Sequence, residues 1–204
     1  MKISLRPALV LAIAVASSAS VACSSSSGAS GDGSGGNTSA ATAGSGADAG
    51  APDREPTTDD FTCIHGSDWT QVGISHYKNI LGNTDAMLAI ARSADGGVFP
   101  PGTIVQLVPT EASVKRGAGY SADSHDWEFF SLTAASSGTT IGAHGGDAGV
   151  LNVFNLSCLN CHIKAAPQWD LICGNNVDGG SDHGCDPLPI AGSTLAALGD
   201  PRCP

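Results

Sequence analysis

Val98-Phe99-Pro100-Pro101-Gly102-Thr103-Ile104-Val105-Gln106-Leu107-Val108 joins a two-proline turn to a β-branched run. The prolines cannot continue a helix and the glycine suits a turn, so the segment that follows reads as a strand. Working outward, His125 to Leu132, with Trp127-Glu128-Phe129-Phe130 at its centre, reads the same way. Shorter alternating stretches at Thr139 to Ala143 and Val150 to Leu156 add two more strand candidates. Upstream, Asn83-Thr84-Asp85-Ala86-Met87-Leu88-Ala89-Ile90-Ala91-Arg92 has a capping residue followed by helix formers. The expected fold is mainly β (α+β), an antiparallel sheet with a few short helices.

The chain has 204 residues and a formal net charge of −10. From Ser24 to Asp60 there are 37 residues with eight Gly, eight Ser, seven Ala and four Thr, and no Val, Ile, Leu, Met, Phe, Tyr, Trp or Cys. Such a tract buries too little apolar area to offset its ordering entropy. Residues 61–204 remain for one domain of ordinary size, so a multidomain chain and a membrane-spanning channel are excluded. That domain carries six Lys or Arg against thirteen Asp or Glu. A surface of that sign repels phosphate backbones, which excludes nucleic acid as a partner.

Lys2 and Arg6 precede the apolar run Ala8 to Ala16, and small residues lead to Ser20-Val21-Ala22-Cys23. Residues 1–22 read as a secretory signal, because the run falls short of the roughly 20 residues that span a bilayer. Cys23 resembles the lipid-modified cysteine of bacterial lipoproteins, although Ser20 stands where leucine is usual. Residues 23–60 then form a lipid-anchored linker that holds the domain to a membrane, facing the periplasm or the cell exterior. Plain cleavage after Ala22 gives a soluble secreted protein instead.

Cys158-Leu159-Asn160-Cys161-His162 is a CxxCH sequence, the arrangement of c-type haem attachment. Two thiols three residues apart lie on one helical turn, where each can add to one vinyl group of a porphyrin. The adjacent imidazole then serves as an axial iron ligand. The site residues are therefore Cys158 and Cys161 for covalent haem c and His162 for its iron. Three other chemistries use the same residues: disulfide formation, zinc binding with Cys173, Cys185 or His183, and a redox dithiol. With haem on Cys158 and Cys161, the cysteines at 63, 173, 185 and 203 form an even set suited to two disulfides, in any of three pairings. Those bridges staple a C-terminal segment rich in Gly and Pro.

The mature chain has a single methionine, Met87, placed 71 residues before Cys158. No methionine follows the motif, which removes the usual His/Met ligation, and Met87 on its helix reads as core. His65, His76, His125, His144 and His183 are the remaining donors, each expected on a surface or loop. Without a strong sixth ligand the iron site is open to small molecules; a filled one makes a pure electron carrier.

The order of these pieces resembles the cytochrome P-460 family, which includes the β-sheet cytochromes c′. The resemblance rests on Gly82-Asn83 before a short helix, Phe99-Pro100-Pro101-Gly102-Thr103 opening a strand, Trp127-Glu128-Phe129-Phe130 in a later strand, and Cys158 to His162. It covers about residues 70–172, half the chain. It implies a monohaem protein on an antiparallel sheet, commonly a homodimer, whose open iron face oxidises hydroxylamine or binds nitric oxide and similar ligands, with a redox partner protein. It further implies a haem-linked lysine shortly after the Gly-Thr pair, where this chain has Gln106 and Leu107; its nearest lysine is Lys115. A distal carboxylate is also implied, with Glu128, Asp126 and Asp147 as unranked candidates. Asn175 to Asp182 has alternating oxygen ligands reminiscent of a calcium loop but lacks the closing glutamate, and reads as a polar turn.

Overall fold

The computed structural model describes residues 53–174, 183–187, 194–195 and 197–204. The stretch read as a secretory signal, Cys23, most of the stretch read as linker and the stretch 175–182 read as a polar turn lie outside the described residues. Asp53, within the stretch read as linker, is the first described residue. Its carboxylate accepts hydrogen bonds from Arg116 and from the Gly117 N–H.

Six strands make one antiparallel sheet in sequence order. They are β1 (Thr70–Val72), β2 (Ser75–Asn79), β3 (Thr103–Gln106), β4 (Glu111–Lys115), β5 (Trp127–Ala135) and β6 (Gly138–Gly145). Helix α1 (Thr84–Ala91) bridges β2 and β3, and α2 (Cys158–His162) follows the sheet. The mainly β expectation holds. Among the described residues no helix is long and apolar enough to cross a membrane.

Local chemistry sets the strand limits. Gly102 opens β3 at φ +82°, and a Cβ there would sit 2.6 Å from the Leu81 side chain, so the turn needs glycine. His125 and Asp126 have positive φ, which holds the start of β5 back to Trp127. The expected strand at Val150 to Leu156 does not form. The Asn152 side chain accepts the Phe154 and Leu156 N–H groups at 3.0 Å, so a loop takes donors that a ladder needs, leaving one bridge between Leu151 and Ser157. At α1, the Asn79 carboxamide rather than the Asn83 side chain takes the donors, accepting from the Leu81 and Asn83 N–H groups.

Because side chains alternate along a strand, the sheet has two faces and both are packed. One carries Tyr77, Val105, Trp127 and Phe129 against Met87 of α1, Phe99, Cys158, Leu159 and Leu171. The other carries Ile104, Ala112, Val114, Phe130 and Leu132 against Phe61, Ile64 and Trp69. A strand buried on both sides, such as β3, shows no polar alternation.

The four cysteines outside the CxxCH motif pair as two disulfides, Cys63–Cys203 and Cys173–Cys185. The first closes a separation of 140 residues and the second one of 12. By the chain-entropy model they stabilise by about 5 and about 3 kcal/mol respectively. The longer bridge clamps the segment that covers the second sheet face to the end of the chain.

Candidate functional site

The CxxCH residues occupy all of α2. Ser157 caps it, its hydroxyl accepting the Asn160 N–H at 3.3 Å, and Leu159 anchors it in the core. The Cys158 N–H donates to the Val150 carbonyl at 3.0 Å, tying the helix to the chain leaving β6. Residues three apart share one helix face, so both sulfurs lie on one side of the turn. Both are free thiols, Cys158 buried and Cys161 half-buried.

The Cys158 thiol is pushed up to about 12 by burial, then by the Glu111 carboxylate and by Cys161. It is protonated at neutral pH. A redox dithiol needs a depressed thiol in an electropositive setting, and Cys158 has the opposite.

His162 is half-buried, with its ring centroid 5.0 Å from that of Phe129. Its Nδ1 lies 2.6 Å from the Leu171 carbonyl oxygen. A carbonyl only accepts, so Nδ1 carries the proton and Nε2 keeps its lone pair. Burial lowers the imidazole from its ordinary value, and the Leu171 carbonyl pulls partly the other way. The result is a neutral ring with Nδ1 tethered and the lone pair on Nε2.

The structure gives the other expected residues different tasks. Met87 is fully buried in the core. Glu128 pairs with Arg116 and with His144 Nδ1 on the face opposite His162. The Asp126 carboxylate accepts from the Gly119 and Ser121 N–H groups, and Asp147 accepts from the Gly149 N–H. His76, in contact with the His65 ring, and His144, stacked on Phe130, both belong to that opposite face. His183 stacks on Trp169 with ring centroids 3.6 Å apart and contacts the Ile172 carbonyl through Nδ1. Lys115 binds Asp170 and the His125 carbonyl.

Glu111, which the sequence did not single out, is the carboxylate that acts on the motif. It starts β4, its Oε1 accepts the Val153 N–H at 3.1 Å, and its charge is felt at Cys158. Burial raises its carboxyl above the ordinary glutamate range. The folded chain thus holds that proton more tightly than the unfolded chain. This contribution to stability is complete below the ordinary glutamate value and is lost as pH rises through the raised one. Glu111→Gln keeps an acceptor for Val153 and removes the charge. It is expected to leave stability at low pH unchanged and to raise it at neutral pH, as read by urea denaturation across pH. A profile parallel to wild type contradicts burial as the cause.

Apolar surface adjoins the motif in sequence on both sides: Leu151, Val153, Phe154 and Leu156 before it and Ile163 after it are exposed, Val153 at 60%. A separate cavity of about 330 Å³ lies between α1, β2 and the segment after α2, walled by Tyr77, Ile90, Phe99, Trp169 and Ile172. Neither the two thiols nor His162 line it. No family model, curated protein or solved structure matches the chain.

Proposed function

We propose that this protein is an exported monohaem c-type cytochrome of the cytochrome P-460 class, anchored through a lipid on Cys23, that binds or redox-processes a small ligand at an open iron site. The observation that carries this reading is the division of the six cysteines after Cys23. Four are bridged in pairs, and the two left as free thiols are the two of CxxCH. The same bridges take the sulfurs of Cys173 and Cys185 that a zinc site would have used. Among the described residues, the one cluster able to hold a metal ion is Cys63, Asp200 and Cys203, away from α2 and with both of its cysteines bridged.

The residues fit a covalently held haem. Two thiols share a face, the adjacent imidazole is neutral with Nε2 unprotonated, and apolar side chains flank the helix for a flat apolar group to cover. When bound, haem supplies an iron that changes oxidation state and can take an exogenous ligand. Cys158 and Cys161 would hold the group covalently, and His162 Nε2 would ligate its iron. His76 and His144 lie on the far face of the sheet from His162, so neither would hold the iron beside it, and Met87 is packed in the core cluster that includes Leu159. Lys115, bound to Asp170, does not support the porphyrin cross-link of the hydroxylamine-oxidising members, so ligand binding or one-electron transfer is the activity proposed.

Titrating the reduced protein, made in a host that attaches c-type haem, with nitric oxide and following the Soret band tests this. Saturable binding at one equivalent per chain is expected. An iron that ignores nitric oxide contradicts the open site.

A further inference from the structure

Lys115, the last residue of β4, and Asp170, eight residues beyond His162, form an ion pair buried on both sides. The Lys115 ammonium donates to both Asp170 carboxylate oxygens at 2.8 Å and to the His125 carbonyl at 2.7 Å. It also lies 5.3 Å from the Trp127 ring centroid. Asp170 Oδ2 accepts the Phe99 N–H at 2.9 Å as well. The carboxylate therefore ties β4 and the turn before β3 to the segment after α2, and its Lys115 partner adds the turn before β5.

Asp170 and Leu171 both have positive φ, 48° and 62°. Side-chain-bearing residues adopt that conformation at a cost, and two in succession persist only where their surroundings enforce it. The pinned Asp170 side chain supplies the enforcement. Its effect falls on the next carbonyl, because Leu171 O is the group that holds His162 Nδ1 at 2.6 Å. A pair this deeply buried contributes little net stability, since removing both charges from water offsets their attraction. Geometry is what it contributes.

We infer that the Lys115–Asp170 pair is a positioning device for His162: it keeps the Asp170–Leu171 backbone turned so that the Leu171 carbonyl fixes the imidazole's tautomer and leaves Nε2 as the ligand nitrogen. Lys115 and Asp170 are positioning residues, acting through that carbonyl. The inference rests on the haem reading for what Nε2 ligates, and stands without it for the tautomer.

The test uses the full chain made in a host that attaches c-type haem, as wild type, Asp170→Asn, and Lys115→Met combined with Asp170→Asn. Asparagine tolerates positive φ and can still accept from Phe99, but alone it leaves the buried Lys115 charge unpaired; the double variant leaves none and keeps the test decisive if Asp170→Asn does not fold. In the haem-bearing protein, both variants should lower the iron–imidazole stretching frequency and raise the midpoint potential. A weaker bond at Nδ1 makes the imidazole a poorer donor. In protein without haem, nitrogen-15 NMR should show His162 as a single Nδ1–H tautomer in wild type and as a mixture in the variants. Glu128→Gln, which disturbs buried polar contacts on the other sheet face, should lower the denaturation midpoint and move none of these signals. Folded Asp170 variants with wild-type signals overturn the inference, as does a Glu128→Gln variant that moves them equally. A colourless wild-type protein ends the haem reading, while its His162 tautomers still decide the positioning role.

Discussion

Replacing Cys158 and Cys161 together by alanine is expected to abolish all covalently bound pigment while leaving the protein folded. Neither residue belongs to a disulfide, so Cys63–Cys203 and Cys173–Cys185 remain to hold the sheet to the chain terminus. Cys161 is only half-buried, and Cys158 sits at the edge of a cluster whose bulk is Trp127, Phe129, Tyr77 and Met87. Shortening each by one sulfur should cost about 1 kcal/mol, the middle of the range for single substitutions. Haem staining after denaturing electrophoresis reads the pigment, and a urea titration reads the fold. Loss of stain with a cooperative urea transition whose midpoint falls by about 1 M is the expected pair of results. Retention of covalent stain in the double variant contradicts the assignment of the thiols.

Phe129→Ala should produce the largest loss of stability of any single change near the site. Phe129, the third residue of β5, is 2% exposed and lies opposite Ser113 on β4 and Gly145 on β6. Its ring fills the space between the sheet and the His162 ring. Truncating a buried phenylalanine costs about 3 to 5 kcal/mol through lost transfer energy and the cavity left behind. The same cavity gives the His162 imidazole room to leave the Leu171 carbonyl. Phe129→Leu fills most of that volume and is expected to recover more than half of the loss, which separates packing from any special need for the aromatic ring. Equilibrium denaturation of both variants checks this; a Phe129→Ala cost below about 1 kcal/mol falls outside the range for a filled core site and contradicts the packing described.

What was readable in the sequence follows from which signals are local. The turn at Pro100-Pro101-Gly102, the aromatic run in β5 and the helix formers of α1 each carry their information in adjacent residues, and all three form. Strands β1, β2 and β4 gave no such signal. Ser75–Asn79 and Glu111–Lys115 mix polar and apolar residues without a clean period, because both faces of the sheet are covered and His76 and Lys115 are themselves buried. Val150 to Leu156 has the alternation of a strand, but one asparagine side chain turns it into a loop.

The site divides in the same way. CxxCH is contiguous, so its residue types and their helical spacing were legible before any fold was known. Glu111 meets Cys158, and Asp170 meets Lys115, only through tertiary structure. The pairing of four equivalent cysteines likewise depends on how the sheet brings Cys63 beside Cys203. Among the carboxylates weighed for a role at the iron, Glu128 has the most conspicuous sequence setting, between Trp127 and Phe129. Strand alternation alone turns it to the opposite face, where Arg116 and His144 take it up.

The measurement closest to the central claim combines the intact mass and the pyridine haemochrome spectrum of the mature protein, purified from a host with c-type haem maturation. One porphyrin per chain, with the absorption of a haem joined through two thioethers and carried on the peptide spanning Cys158 and Cys161, is the expected result. A colourless chain whose mass shows those two residues as unmodified thiols or as a third disulfide contradicts the account.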